Sequence, residues 1–232
     1  MKPRPSAPAP YHHGDLRRAL IAAALALVTE EQDWTFSLRE VARRAGVSQS
    51  APYNHFADKR DLLAAVAVAG FHQLRDGLVA AVTGLDDTPD AFAACLRTYV
   101  RLGMRNPALY RLMFGPELTE SKGAKRPREV AEAGGEAKSI LERIIRDGAT
   151  SGVFAVPTGP NGQPLALATF IAWSAVHGLT MLVIDKLTGE LVPVQRAIEA
   201  AIAVQLDGVR GGARAASTRQ RGAAASAVER DG

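Results

Sequence analysis

The chain has 232 residues, 47% of them hydrophobic and 22% charged, a balance that fits a soluble globular protein and excludes a disordered or fibrous one. Its net charge of +4 and isoelectric point near 9.5 suit an acidic partner without demanding one. A single cysteine, Cys95, rules out an intrachain disulfide and points to a reducing, cytoplasmic setting.

Residues 1–13 place Lys2 and Arg4 among prolines and alanines where a signal peptide would carry an apolar core, and they read as a flexible arm. From Asp15 the residues Leu16, Leu20, Ala23, Ala24 and Leu27 recur at helical spacing and predict a first helix to about Gln32. Ser37 and Glu40 have the spacing of a capping box, so a second helix starts there, with the stripe Leu38, Val41, Ala42, Ala45 and a stop at Gly46. Ser48 then caps a short third helix through about Phe56. Two short helices about a tight glycine turn form a helix-turn-helix.

Asp58 is a good cap for a fourth helix carrying Leu62, Leu63, Val66, Phe71, Leu74, Leu78 and Val82. Thr88-Pro89 and Asn106-Pro107 each open a further helix, the first running to about Arg105 and the second containing Leu109, Leu112 and Met113. Pro116 to Gly135 reads as a loop or a weak helix, Ser139 to Thr150 as helix, and Val156 to Pro164 as loop. Leu165–Asp185 and Pro193–Val209 are the last two helices, and from Gly211 a tail without periodicity reads as disordered. The expected fold is all-α. The run Leu165 to Ile184 has the length of a membrane span, but Thr169, Ser174, His177, Gly178 and Thr180 interrupt it and no basic flank sets an orientation. It reads better as a helix with one face on a core and the other on a partner subunit.

The segment Phe36 to Leu63, FSLREVARRAGVSQSAPYNHFADKRDLL, resembles the DNA-binding domain of the TetR family of repressors, over about the first quarter of the chain. Tyr11 to Arg17 also resembles the start of a subgroup with a Trp-His-Gly signature in its C-terminal domain, here Trp173, His177 and Gly178. The resemblance implies a three-helix DNA-binding domain over 14–60 and a helical effector-binding and dimerisation domain over 61–210. It implies a homodimer on a palindromic double-stranded operator and a repressor released by a small-molecule effector. An enzyme using His72, His177 and Asp185 is the rival reading, but the sequence has no Gly-rich phosphate loop, no nucleophile elbow and no His/Cys/Asp set at metal spacing, so no enzyme activity or cofactor is expected.

A short recognition helix fits the major groove, so Ser48, Gln49 and Ser50 are candidates for base contact and Ala51 for a thymine methyl. By resemblance Tyr53 and Lys59 hold phosphates, joined by His55 and Thr35. Pro52 departs from the aliphatic residue that many family members carry, and puts the local geometry in question. Arg43 and Arg44 read as a solvated face, Phe56 as core, Cys95 as a buried small hydrophobe beside Phe92 and Tyr99, and the adjacent His12 and His13 as no metal site. Met104, Tyr110, Met113, Phe114, Phe170, Trp173 and His177 would suit an effector cavity or simply the core.

Overall fold

The computed structural model describes residues 13–118, 126–156, 163–189 and 193–228. Residues 1–12, with most of the expected arm, including Lys2, Arg4, Tyr11 and His12, lie outside them. Among the described residues the elements are α1 (His13–Glu31), α2 (Leu38–Arg44), a 3-10 segment (Ala51–Asn54), α3 (Lys59–Val82), α4 (Thr88–Arg105), α5 (Pro107–Phe114), a 3-10 turn (Pro116–Leu118), α6 (Arg128–Thr150), α7 (Gln163–Ile184) and α8 (Val194–Val228), with no strand. The chain divides into two compact units, residues 1–70 with 108–130 and residues 71–107 with 131–232.

In the first unit α1 packs on α2, and Leu20, Leu27, Val28, Phe36, Val41, Phe56 and Leu62 are buried together in its core. Each such side chain contributes up to about 1.5–3 kcal/mol through burial, so this small unit stands on its apolar stripes. Half of the expected capping box of α2 is present, the Glu40 N–H donating to Ser37 Oγ at 3.2 Å. At the other end Gly46 has φ +70, its N–H donates to the Arg43 carbonyl at 3.2 Å, and the Val47 N–H donates to the Ala42 carbonyl at 3.0 Å. Those two bonds are the Schellman pattern, and they turn the chain sharply out of α2. Asp58 caps α3 through its Oδ1 to the Asp61 N–H at 2.8 Å, while Asp61 Oδ2 accepts the Ala57 N–H at 3.0 Å. Later in the same unit α3 passes α5 so closely that a Cβ on Gly70 would lie 2.7 Å from Met113 Sδ.

The expected third helix is a correction. In an α-helix the Ser48 carbonyl would accept from residue 52, but Pro52 has no N–H. The Ala51 N–H reaches the Ser48 carbonyl instead at 3.0 Å, and the Tyr53 N–H reaches that of Ser50 at 3.2 Å. Bonds three residues apart wind a 3-10 segment of four residues, where the sequence pattern predicted an α-helix from Ser48 to Phe56. Two other helices outrun their expected bounds. The first turns of α6 lie in the stretch read as loop or weak helix, because Val130, Ala133 and Ala137 continue its buried stripe and Gly134 sits against the Phe71 ring. The backbone of α8 stays helical to Val228, past the Gly211 where a disordered tail was expected, in an alanine-rich run of high helix propensity.

In the second unit α4 packs on α7 and α8, which also pack on each other. The inward faces carry Phe92, Leu96, Val100, Ala172, Val176, Ile198 and Ile202. Cys95 lies among them, and burial pushes its thiol up to about 12, so it is a neutral hydrophobe at physiological pH. Thr169 and Thr180 are buried, and their hydroxyls donate to the Leu165 and Val176 carbonyls at 2.9 and 2.7 Å. Arg97 makes a forked pair with Glu199, tying α4 to α8 at 2.6 and 2.7 Å. The Trp173 indole N–H donates to the Tyr99 oxygen at 3.1 Å, and that hydroxyl lies 3.3 Å from His177 Nδ1. Tyr99 can accept from the indole and donate to the imidazole only while Nδ1 is unprotonated. Burial accordingly lowers the His177 pKa from its ordinary 6.5.

Gly46→Ala forces a Cβ into a left-handed conformation with nothing within 4 Å to strike, so the expected loss, read by urea unfolding, is conformational and about 1 kcal/mol. For His177 the unfolded chain takes up its proton nearer pH 6.5 than the folded chain does. Its contribution is therefore intact above that value and falls as pH drops below it. Urea unfolding of the wild type should weaken more steeply below about pH 6.5 than that of His177→Asn. A wild-type profile no steeper than the variant's would mean that the imidazole is charged in the fold.

Candidate nucleic-acid interface

The turn at Gly46 leads into residues 48–54, whose burial alternates in a way set by the tight winding. Ser48, Gln49 and Ser50 are exposed, Ala51 and Pro52 are buried, and Tyr53 and Asn54 are exposed again. Tyr53 shows 55% of its surface and Ala51 only 7%, so Ala51 faces the unit's own core and is not offered to a thymine methyl. That corrects the sequence expectation, and the cause is the altered register: Pro52 falls at the start of the 3-10 segment and turns inward with its neighbour. Asn54 was missed. Its amide stands exposed beside Tyr53, a placement that an α-helical wheel through Ser48 would not reveal.

The segment ends on the Pro52 carbonyl, which accepts from both His55 and Phe56 N–H groups at 3.0 and 2.9 Å. Phe56 is buried, and the Arg17 guanidinium lies 5.2 Å from its ring centre. His55 is half-buried. Ser48 and Ser50 hydroxyls are 3.3 Å apart and stabilise the exposed bend between them.

A second group of candidates lies where α2 and α3 begin. The Lys59 ammonium stands 5.2 Å from the centre of the Phe36 ring. Burial lowers its pKa from the ordinary value, and the charge of Asp33 opposes that. Thr35, next to Phe36, is exposed, and both its N–H and its hydroxyl donate to Asp33 Oδ1, at 2.9 and 3.0 Å. Arg44, in contrast, is held by the Glu30 carboxylate on the outside of the unit, and Arg43 points into solvent near Glu40.

The effector candidates fall into separate places. In the first unit Tyr110 and Met113 are buried, with Phe114 at 4.9 Å from Tyr110 between ring centres, and Met113 fills the space left by Gly70. In the second unit Met104 is exposed on α4, while Phe170, Trp173 and His177 form a row of rings along α7 at 6.2 and 5.7 Å. Tyr99, read from the sequence only as part of an apolar stripe, belongs with that row through its hydroxyl.

The comparisons with known proteins agree with this architecture. Residues 20–66 match the family described as bacterial regulatory proteins, tetR family. Residues 92–207 match the one described as tetracyclin repressor-like, C-terminal domain. A curated relative, the HTH-type transcriptional regulator BetI of Rhizobium meliloti (strain 1021), is 30% identical over 112 residues, which cover 47% of this chain and 55% of that protein. The chain thus spans little more than half the length of that relative. A solved structure of a protein with unknown function from Rhodococcus sp. RHA1 superposes with a TM-score of 0.71 at 32% identity, over 88% of this chain and 100% of that one. A TetR family transcription regulator from Marinobacter aquaeolei VT8 shares the fold, with a TM-score of 0.59 at 22% identity over 84% of this chain and 96% of its own. With the two family patterns matched in chain order and the helix-turn-helix geometry in place between α2 and α3, the chain belongs to the tetR family of bacterial regulatory proteins.

Proposed function

We propose that this chain is a cytoplasmic transcription repressor that binds a palindromic DNA operator as a homodimer and releases it when a small molecule binds. The observation that carries the reading is the bend from Ser48 to Asn54, exposed at Ser48, Gln49, Ser50, Tyr53 and Asn54 and held on one side by the α2 stop at Gly46 and on the other by Phe56 and the α3 cap at Asp58. Such a bend presents Gln49 and Ser50 to the major groove, with Tyr53, Thr35, His55 and Lys59 positioned for the flanking phosphates. An amide such as Gln49, or the neighbouring Asn54, pairs bidentately with adenine.

The homodimer rests on α7. Thr169, Ala172, Val176, Thr180 and Val183 form its buried stripe, while Leu167, Phe170, Ile171 and Leu182 are exposed on the other side. A row of large exposed apolar side chains marks a surface for a partner, and a second copy of the chain places two recognition elements on successive major grooves. The 22 residues of α7 are also long and apolar enough to cross a membrane by length and composition, as are those of α3, but α7 buries its Thr-bearing stripe on α4 and α8 and thereby reads as a subunit-interface helix. Tyr99, Trp173 and His177 are the polar groups nearest to hand for an apolar or amphipathic effector, and ligand binding that favours one conformer would release DNA through differential affinity.

Binding to duplex DNA over a salt series tests the reading, using the duplex recovered by selection from a random pool and a scrambled control. Lys59→Ala should weaken both duplexes and reduce the salt slope by about one, whereas Gln49→Ala should cost roughly 1–3 kcal/mol on the selected duplex alone. If neither change altered DNA binding, the bend would not be the DNA-reading element. For the dimer, Ile171→Glu sets a charge on a surface that is 59% exposed, and light scattering should find a folded monomer with weakened operator binding. On the opposite face Ala172 is 3% exposed, so a glutamate there would put its charge into the core and report on folding instead of on the dimer. A dimer that survives Ile171→Glu would place the interface elsewhere.

A further inference from the structure

We infer that Asp33 is a built-in competitor of DNA phosphate, a carboxylate that occupies in the free protein the donors a phosphate would take in the complex. This rests on the reading of Thr35 and Lys59 as phosphate-binding residues. Asp33 Oδ1 accepts two hydrogen bonds from one residue, the Thr35 N–H at 2.9 Å and the Thr35 hydroxyl at 3.0 Å. A backbone N–H and a hydroxyl converging on one anionic oxygen are the donor pair with which proteins commonly hold a phosphate oxygen. The third donor is the Lys59 ammonium, which lies over the ring of Phe36, the residue next to Thr35. The three groups therefore share one patch of the first unit, at the mouth of α2 and α3. The charge of Asp33 is felt at Lys59, where it acts against the effect of burial on the ammonium.

In the free protein the carboxylate thus holds both donors of Thr35, and its charge is felt by the Lys59 ammonium. A phosphate that enters must displace the carboxylate from Thr35 or sit beside it, and in the second case two anions share one ammonium. Either way Asp33 subtracts from the affinity for every DNA sequence equally, because phosphates are the same everywhere along a duplex. A carboxylate with that effect lowers non-specific binding and leaves discrimination between operator and other DNA in the hands of the base-contacting residues.

The test measures binding of wild type, Asp33→Asn, Lys59→Ala and the double variant to scrambled duplex and to the duplex selected from random DNA, over a salt series, with circular dichroism and thermal unfolding as checks on the fold. Asparagine keeps an oxygen for the Thr35 N–H and removes the charge. Asp33→Asn is expected to tighten both duplexes by a similar factor, roughly three- to ten-fold at low salt, and to steepen the salt dependence. In the Lys59→Ala background the gain should shrink to less than half, as expected when two groups act on the same phosphate. Folded Asp33→Asn protein whose affinity is unchanged or weaker on both duplexes overturns the inference and makes Asp33 a positioning residue of the turn before α2. A gain confined to the selected duplex also overturns it, since that would be a base-specific effect. If Lys59→Ala weakens DNA binding while Asp33→Asn fails to strengthen it, only this inference falls. If Lys59→Ala and Gln49→Ala both leave DNA binding intact, the underlying reading of the interface falls with it.

Discussion

The left-handed conformation of Gly46 is the constraint on which the candidate interface depends. An α-helix that ends without a partner leaves its last carbonyls exposed, and here the reversal at Gly46 satisfies those of Ala42 and Arg43 within five residues. That reversal sets the direction in which the chain leaves α2, and with it the side from which Ser48 to Ser50 emerge. The bend beyond them has little freedom, because it is closed again by Phe56 in the core, by the Asp58 cap on the Asp61 N–H and by the Ala57 N–H on Asp61. The bend is thus pinned at both ends by local hydrogen bonds and one buried ring. Ordering that has been completed in the fold does not have to be supplied on binding.

The second unit works on a different balance. α7 has no charged side chain between Gln163 and Ile184, so its helical period is nearly invisible in hydropathy. Tertiary contacts sort it into two faces. The face with small residues and threonines packs on α4 and α8, where close approach is allowed and each hydroxyl is satisfied by its own helix. The face with Leu167, Phe170 and Ile171 stays exposed. Polar pairs within this unit hold orientation: the Arg97–Glu199 fork sets α8 against α4, and the Trp173–Tyr99–His177 chain sets α7 against α4. A neutral imidazole at the end of that chain makes it sensitive to any proton or ligand that competes for the Tyr99 hydroxyl.

Local signals are the ones that can be read along the chain. Ser37 before α2, Gly46 after it, Asp58 before α3 and Pro89 and Pro107 at the openings of α4 and α5 act through bonds within a few residues, so each was legible and each stands where it was expected. The all-helical class was legible for the same reason, since long apolar stripes at helical spacing leave few alternatives. The candidate site was legible as a stretch but not as a surface. That Pro52 would tighten the expected α-helix to 3-10 geometry depends on whether the remaining donors find carbonyls three or four residues back, and so on the packing of Ala51 and Pro52 against the core. That Ala51 points inward, that Asn54 points outward and that α6 begins before its two glycines follow instead from packing across elements. In each of these cases the deciding neighbour is a shape or a charge supplied by another turn or element, which spacing along the chain does not encode.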